Sequence, residues 1–311
     1  MSASVAFLYP GQGSQAVGMG KELHAQFAAA REIFEQADDV LKAPLSRLCF
    51  DGPPEQLTLT ENTQPALVAV GWALTKVLEQ ELGLRPSWTA GHSLGEFSAL
   101  VAAGALAFAD ALQVVRERGR AMQRAVPAGV GSMAALVGAD LATVEGICRD
   151  AAEGEVLSPA NLNGAGQIVI SGHRDAVSRA IELAKSRGVK RAVPLTVSAP
   201  FHCALMQPAA DHLQNVLADV SIGSFRCPVI TNVEAKPNRD PARVKELLVR
   251  QVVSPVRWEE CVETLAGEGC DAALEVGPGK VLTGLVKRIA PQIRCMPAED
   301  VEQARTLVQA A

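Results

Sequence analysis

The stretch TAGHSLGEFSAL, residues 89–100, sets Ser93 between Gly91 and Gly95, with His92 beside it. A G-x-S-x-G spacing suits a serine held on a tight strand-to-helix turn, where its hydroxyl projects outward as a nucleophile for acyl groups. The same pattern also occurs in turns that only connect a strand to a helix. The short strand SWTAGHS that enters it and the apolar helix after it favour the nucleophile. In that setting the N–H of Leu94 opens a helix whose dipole favours negative charge. The glycine-rich GQGSQ, residues 11–15, follows the first apolar run. It has neither the G-x-G-x-x-G nor the G-x-x-x-x-G-K-[ST] spacing of nucleotide loops. Its use would be a close backbone approach, with an N–H near Gln12 joining that of Leu94 as an oxyanion hole. The alternative is a plain turn.

A serine nucleophile needs a base, and the chain has five histidines. His92 adjoins Ser93, and neighbours on a turn point apart, so it is a poor base. His24, His173 and His212 fall in segments that read as helices or helix starts, where solvated or capping roles are expected. His202, in SAPFHCALM, lies in a loop after a strand, a common place for catalytic side chains. A packed loop histidine is the competing reading.

Arg118 carries further chemistry. On a helical projection of residues 111–126 it falls about 20° from Ala111, inside the apolar arc. A guanidinium aimed into a core costs several kcal/mol unless its charge is paired. Either Glu96 or Glu275 forms a buried ion pair with it, or its partner is a substrate carboxylate held bidentately. Periodicity leaves both open.

These residues need a scaffold. Residues 5–9 read as a buried strand stopped by Pro10-Gly11. One long helix is expected from about Gly20 to Leu41, then a turn at DGPPEQL, a helix from Thr63 to Leu82, and a strand entering the elbow. From Pro127 the pattern becomes strand, helix with an Asp cap, hairpin around Asn163-Gly164, helix, strand, which is the ferredoxin-like order. The expected fold is α/β. Residues 1–126 and 198–311 form an α/β-hydrolase-like main body with a parallel-sheet core and a nucleophile elbow. Residues 127–197 form an inserted ferredoxin-like subdomain.

At 311 residues the chain is long enough for such a body plus a smaller domain. A net charge of −5 argues against a nucleic-acid surface. The basic pairs Lys190-Arg191 and Lys287-Arg288 can still meet a small acidic partner. Seven scattered cysteines without a C-x-x-C pair suggest reduced thiols rather than disulfides or a zinc site. No apolar run reaches the roughly 20 residues of a membrane span, and the N-terminus reads as a first strand rather than a signal peptide. A soluble, cytoplasmic protein without membrane or nucleic-acid partners is expected.

Several motifs in order, FLYPGQGSQAVGMG, TQPALVAV, AGHSLGEFSALVAAGAL, RGRAMQ, SAPFHCALM and EVGPGKVLTGLVKRI, resemble the malonyl-CoA:acyl carrier protein transacylase family of bacterial fatty-acid synthesis. Acyltransferase domains of polyketide synthases share this family. The match is collinear to about residue 290. The resemblance implies Ser93 as nucleophile, His202 as catalytic histidine, and Arg118 as the residue that binds the malonyl carboxylate. It implies Gln12 and Leu94 as backbone oxyanion donors, and Gln251 as the residue whose carbonyl orients the histidine where an aspartate is usual. Asn163 would lie near the cleft. Phe201 stands where a smaller residue also occurs in the family. In polyketide acyltransferases Phe here accompanies malonyl over methylmalonyl choice, although the preceding Ala199-Pro200 departs from that longer motif.

The implied activity is a ping-pong transfer of malonyl from malonyl-CoA, through a malonyl-serine, to the phosphopantetheine thiol of acyl carrier protein. No metal or redox cofactor is expected, and a monomer meeting its carrier transiently. Lys190-Arg191 is either a docking contact for the acidic carrier or a solvated pair. A discrete polyketide acyltransferase would use the same chemistry. A serine thioesterase would carry an H-G-G-G-like loop and a late histidine, yet no histidine follows His212. A docking module without catalysis would be expected to lack Ser93, His202 or Arg118.

Overall fold

The computed structural model describes residues 5–309. Strand β1 (Val5–Tyr9) is followed by α1 (Lys21–Gln26), α2 (Ala28–Leu41), α3 (Leu45–Asp51), α4 (Pro54–Thr58) and α5 (Thr60–Leu82). Then come β2 (Trp88–Gly91), α6 (Gly95–Ala102) and α7 (Phe108–Arg124). The middle of the chain gives β3 (Gly131–Val137), α8 (Leu141–Ala152), β4 (Leu157–Leu162), β5 (Gln167–His173), α9 (Arg174–Ser186) and β6 (Arg191–Pro194). The rest supplies α10 (Gln207–Ala218), β7 (Val229–Ile230), β8 (Pro237–Asn238), α11 (Pro241–Val253) and α12 (Trp258–Gly267). It ends with β9 (Ala272–Val276), α13 (Val281–Ile289), β10 (Arg294–Ala298) and α14 (Val301–Gln309).

The larger sheet runs β10-β9-β1-β2-β7-β8 and is parallel except for the last pair. Its central strands read as unbroken apolar runs because both faces are covered, as parallel sheets require. Alternation along β1 divides the core: Val5, Phe7 and Tyr9 face one cluster with α5, α6 and α7, while Ala6 and Leu8 face another with α12 and α13. Each fully buried Phe or Leu here contributes roughly 1.5–3 kcal/mol. The smaller sheet, β4-β5-β3-β6, is antiparallel, and all its strands lie between residues 131 and 194. Its own core gathers Leu136, Ile147, Ile168, Ile170 and Val177 under α8 and α9. The expected Asp cap is Asp140, which accepts from Thr143 N–H at 2.8 Å.

Two helices differ from the sequence reading. The stretch expected as one helix from Gly20 to Leu41 breaks at Phe27, which is extended (φ −117°, ψ 127°). The helix expected from Thr63 begins at Thr60 instead, with Pro65 inside it, and the stretch expected as a turn at DGPPEQL carries the short helix α4. Among the described residues, no helix is long and apolar enough to cross a membrane.

Candidate active site

The elbow follows from contact distances that only glycine tolerates. A Cβ on Gly91 would sit 1.9 Å from the backbone of Gly95, and one on Gly95 would sit 2.0 Å from Tyr9 O. The turn is therefore pressed against the end of β1, and His92 N–H donates to Tyr9 O at 3.0 Å. Ser93 takes φ +52° at its tip, a conformation costly for a non-glycine residue and kept only where the surroundings enforce it. Asn232, just beyond β7, is one enforcer. Its Oδ1 accepts from Ser93 N–H at 2.7 Å, and its Nδ2 donates to Gly91 O at 2.7 Å.

His202, also at positive φ (+60°), comes from the loop before α10 and is buried. Its Nε2 lies 2.7 Å from Ser93 Oγ, and its Nδ1 lies 2.9 Å from the backbone oxygen of Gln251 near the end of α11. A carbonyl only accepts, so Nδ1 carries the proton and Nε2 is left as the acceptor for the serine hydroxyl. Burial first, and then the positive charge of Arg118, lower the imidazole pKa to about 3. The histidine is thus neutral and ready to take a proton.

Arg118 is buried on α7, its guanidinium over the Phe97 ring at 5.4 Å. Nη1 donates to Gln64 Oε1 at 2.8 Å, and Nη2 donates to Gln251 Oε1 at 2.9 Å and to Ser93 Oγ at 3.3 Å. Both candidate ion pairs fail. Glu275 faces the opposite side of the sheet and accepts from the N–H groups of Leu282 and Thr283 at the start of α13, at 3.0 and 2.7 Å. Glu96 bonds to Asn232 and Gln251 instead. Among the described residues, no carboxylate lies within ion-pair distance of Arg118, and its Nε has no partner. A buried cation whose direct hydrogen bonds go only to uncharged groups, beside a serine, has the charge and the free donor capacity to take up an anion.

The remaining sequence candidates sort as follows. His92 turns from Ser93, its Nε2 2.9 Å from Asn163 Oδ1 and its ring 5.6 Å from that of Trp258. Asn163 therefore joins the elbow to the turn between β4 and β5, where the two sheets meet. Phe201 is half-buried and packs against both the main core and the cluster of Met133, Ala135, Ala160 and Val169 in the smaller sheet. The Gln12 side chain donates to Thr60 Oγ1 at 3.2 Å. The backbone N–H groups of Gln12 and Leu94 donate to no protein acceptor among the described residues. Gly11 packs on the His92 carbonyl so closely that a Cβ there would stand 2.6 Å from it, which brings the GQGSQ loop onto the elbow. The other histidines depart from simple solvation. His24 packs on Phe50 at 5.0 Å, His173 Nδ1 accepts from Val156 N–H at 2.9 Å, and His212 approaches Glu117 at 3.3 Å.

Three residues were missed by sequence reasoning: Gln64, Asn232 and the side chain of Gln251. Asn232 had a usable signal, because polar residues just past the carboxyl end of a parallel strand commonly face the site of an α/β sheet. Gln64 opens the apolar run of α5, where a buried amide needs a partner. A cavity of about 680 Å³ beside Ser14, Gly20 and Gly279 includes neither Ser93 nor His202. The dyad lies instead between the end of β2 and the smaller sheet: His92 beside Ser93 meets Asn163 of the β4–β5 turn, and Phe201 beside His202 packs on the smaller sheet.

A parallel α/β sheet, a strained elbow serine and a neutral buried histidine 2.7 Å away together define a serine acyltransfer enzyme. The chain belongs to the acyl transferase domain family, which matches residues 6–309. It is 49% identical over 308 residues to the malonyl CoA-acyl carrier protein transacylase of Bacillus subtilis, covering 99% of this chain and 97% of that one. The solved malonyl CoA-acyl carrier protein transacylase of Coxiella burnetii superposes with a TM-score of 0.97 at 44% identity, covering 99% of this chain and 98% of that one. A malonyl-transacylase solved in complex with its type II polyketide-synthase acyl-carrier protein gives 0.96 at 43% identity, covering 99% and 100%.

Proposed function

We propose that the chain moves a malonyl group from malonyl-CoA to the phosphopantetheine thiol of an acyl carrier protein, supplying fatty-acid chain elongation. The observation that carries this is Arg118, a buried cation without a carboxylate partner, 3.3 Å from the serine oxygen. An esterase for neutral acyl groups has no use for such a charge.

His202 Nε2 takes the Ser93 proton as Oγ attacks the thioester carbonyl, and the backbone N–H groups of Gln12 and Leu94 receive the oxyanion. The C–S bond breaks, His202 returns the proton to sulfur, and CoA leaves as its thiol. Arg118 holds the carboxylate of the malonyl-serine. The carrier thiol then gives its proton to His202 and attacks, the C–O bond breaks, and the proton returns to Ser93 Oγ. The Gln251 carbonyl keeps His202 in the required tautomer. A malonyl carboxylate on Arg118 also offsets one of the influences that depress His202, so the correct substrate strengthens the base. Every proton and bond is accounted for by these side chains, so no resident metal or redox cofactor is called for. The reading includes a monomer in the cytoplasm that meets its carrier transiently.

The similarity to a polyketide-carrier complex supports a second carrier class for the same chemistry. The test is intact-mass spectrometry after brief mixing with malonyl-CoA. A malonyl adduct on the wild type and none on Ser93→Ala supports the reading. Steady CoA release without an adduct or a carrier product, with either type of carrier present, contradicts it.

A further inference from the structure

Glu96 is a carboxyl group that the reaction as described leaves unused. It lies on α6, three residues beyond Ser93, and is 2% exposed. Its Oε2 accepts from Asn232 N–H at 3.0 Å and from Gln251 Nε2 at 2.7 Å. The other end of the same amide, Gln251 Oε1, accepts from Arg118 Nη2 at 2.9 Å. A buried guanidinium and a buried carboxyl are thus joined across one amide. Its nitrogen also donates to Ser93 O at 3.0 Å. Turning the amide over would set N–H against Arg118 and oxygen against Ser93 O, so the network fixes which end faces which group.

We infer that Glu96 is the resident counter-ion of Arg118, acting through the Gln251 amide, and that it sets how strongly the pocket prefers a carboxylate-bearing acyl group over an uncharged one. The inference rests on the malonyl-transfer reading above. In a water-poor site, two anions compete for one guanidinium, and the substrate carboxylate enters most readily once Glu96 has taken up a proton. Glu96 is a positioning residue. It does not reach the acyl group, but it governs the charge that does.

The groups around Glu96 leave it as the one that titrates. Arg118 approaches from α7. His202 and His92 are both depressed by burial and stay neutral. The Cys261 thiol on α12 is pushed well up by burial and keeps its proton. Asn232 and Gln251 are uncharged. Burial pushes Glu96 up to about 7, against the bonds from Asn232 and Gln251 and the nearby Arg118, which pull it down. Above its titration the carboxylate opposes a malonyl group; below it, Arg118 is freed for one.

The experiment measures Ser93 acylation by malonyl-CoA and by acetyl-CoA from about pH 6 to about pH 8.5, in wild type and Glu96→Gln. Dividing the two rates cancels the ionisations of CoA itself. The wild-type malonyl-to-acetyl ratio should fall as pH rises through the titration, at most roughly tenfold per pH unit. Glu96→Gln keeps both hydrogen bonds, and its ratio should be flat and lie above the wild type at high pH. The same slope in Glu96→Gln overturns the inference. If that variant does not fold, the wild-type profile decides alone, and a flat ratio overturns it. A wild type that accepts no malonyl group fails the transfer reading itself, whereas malonyl uptake with a flat ratio fails only the role of Glu96.

Discussion

Replacing Arg118 with alanine should separate substrate choice from chemistry. The guanidinium is 1% exposed, its nearest partners are two glutamine oxygens, and Ser93 Oγ lies 3.3 Å away. A malonyl carboxylate bound there forms a desolvated charge pair. Removing one member of such a pair costs roughly 3–5 kcal/mol, or about 10²- to 10³-fold or more in kcat/KM. Acetyl-CoA brings no carboxylate, so its acylation should change by less than about tenfold. Stability should move little, because two opposing effects nearly cancel. Alanine orphans the acceptors Gln64 Oε1 and Gln251 Oε1, at roughly 1–3 kcal/mol each. It also relieves the burial of a guanidinium with no carboxylate in direct contact, which costs several kcal/mol. Pre-steady-state acylation followed by intact mass, with urea unfolding as the control, measures both. Equal losses for malonyl and acetyl in a folded variant would refute the assignment of Arg118 as the carboxylate receptor.

Other outcomes follow from the same geometry. Asn232→Ala orphans Ser93 N–H and Gly91 O and should lose roughly 1–3 kcal/mol for each, read by urea unfolding, with slower acylation as the elbow relaxes. Gly95→Ala places a Cβ 2.0 Å from Tyr9 O, so soluble, cooperatively unfolding protein should not be recovered. His202 has a folded pKa of about 3 against an ordinary 6.5. Between those values the unfolded chain binds more protons, so the wild type should lose stability relative to His202→Gln as pH falls below 6.5. Parallel urea curves across that range test the sign.

The elbow was legible in the sequence because a local turn with two close backbone approaches admits only glycines at fixed spacing. The antiparallel sheet was legible for a similar reason: its hairpin and helix cap are written in neighbouring residues. The break at Phe27 was not, since neither Gly nor Pro marks it. Arg118 was found by its place on a helix face, but its partners were not. Helical projection tells which way a side chain points, not that Gln64 and Gln251 wait there from 54 and 133 residues away. Long-range amide contacts leave no periodic trace. Glu96 shows the same limit: proposed as a direct partner of Arg118, it proves to be one amide removed.

The acyl group on Ser93 should wait for a thiol rather than for water. The most direct measurement isolates the malonyl-enzyme and divides it between buffer alone and buffer with holo acyl carrier protein, following the serine adduct and the carrier by mass. The expected result is a long-lived adduct in buffer that passes to the carrier within the mixing time. An adduct that decays to free malonate at the same rate with or without carrier would contradict it.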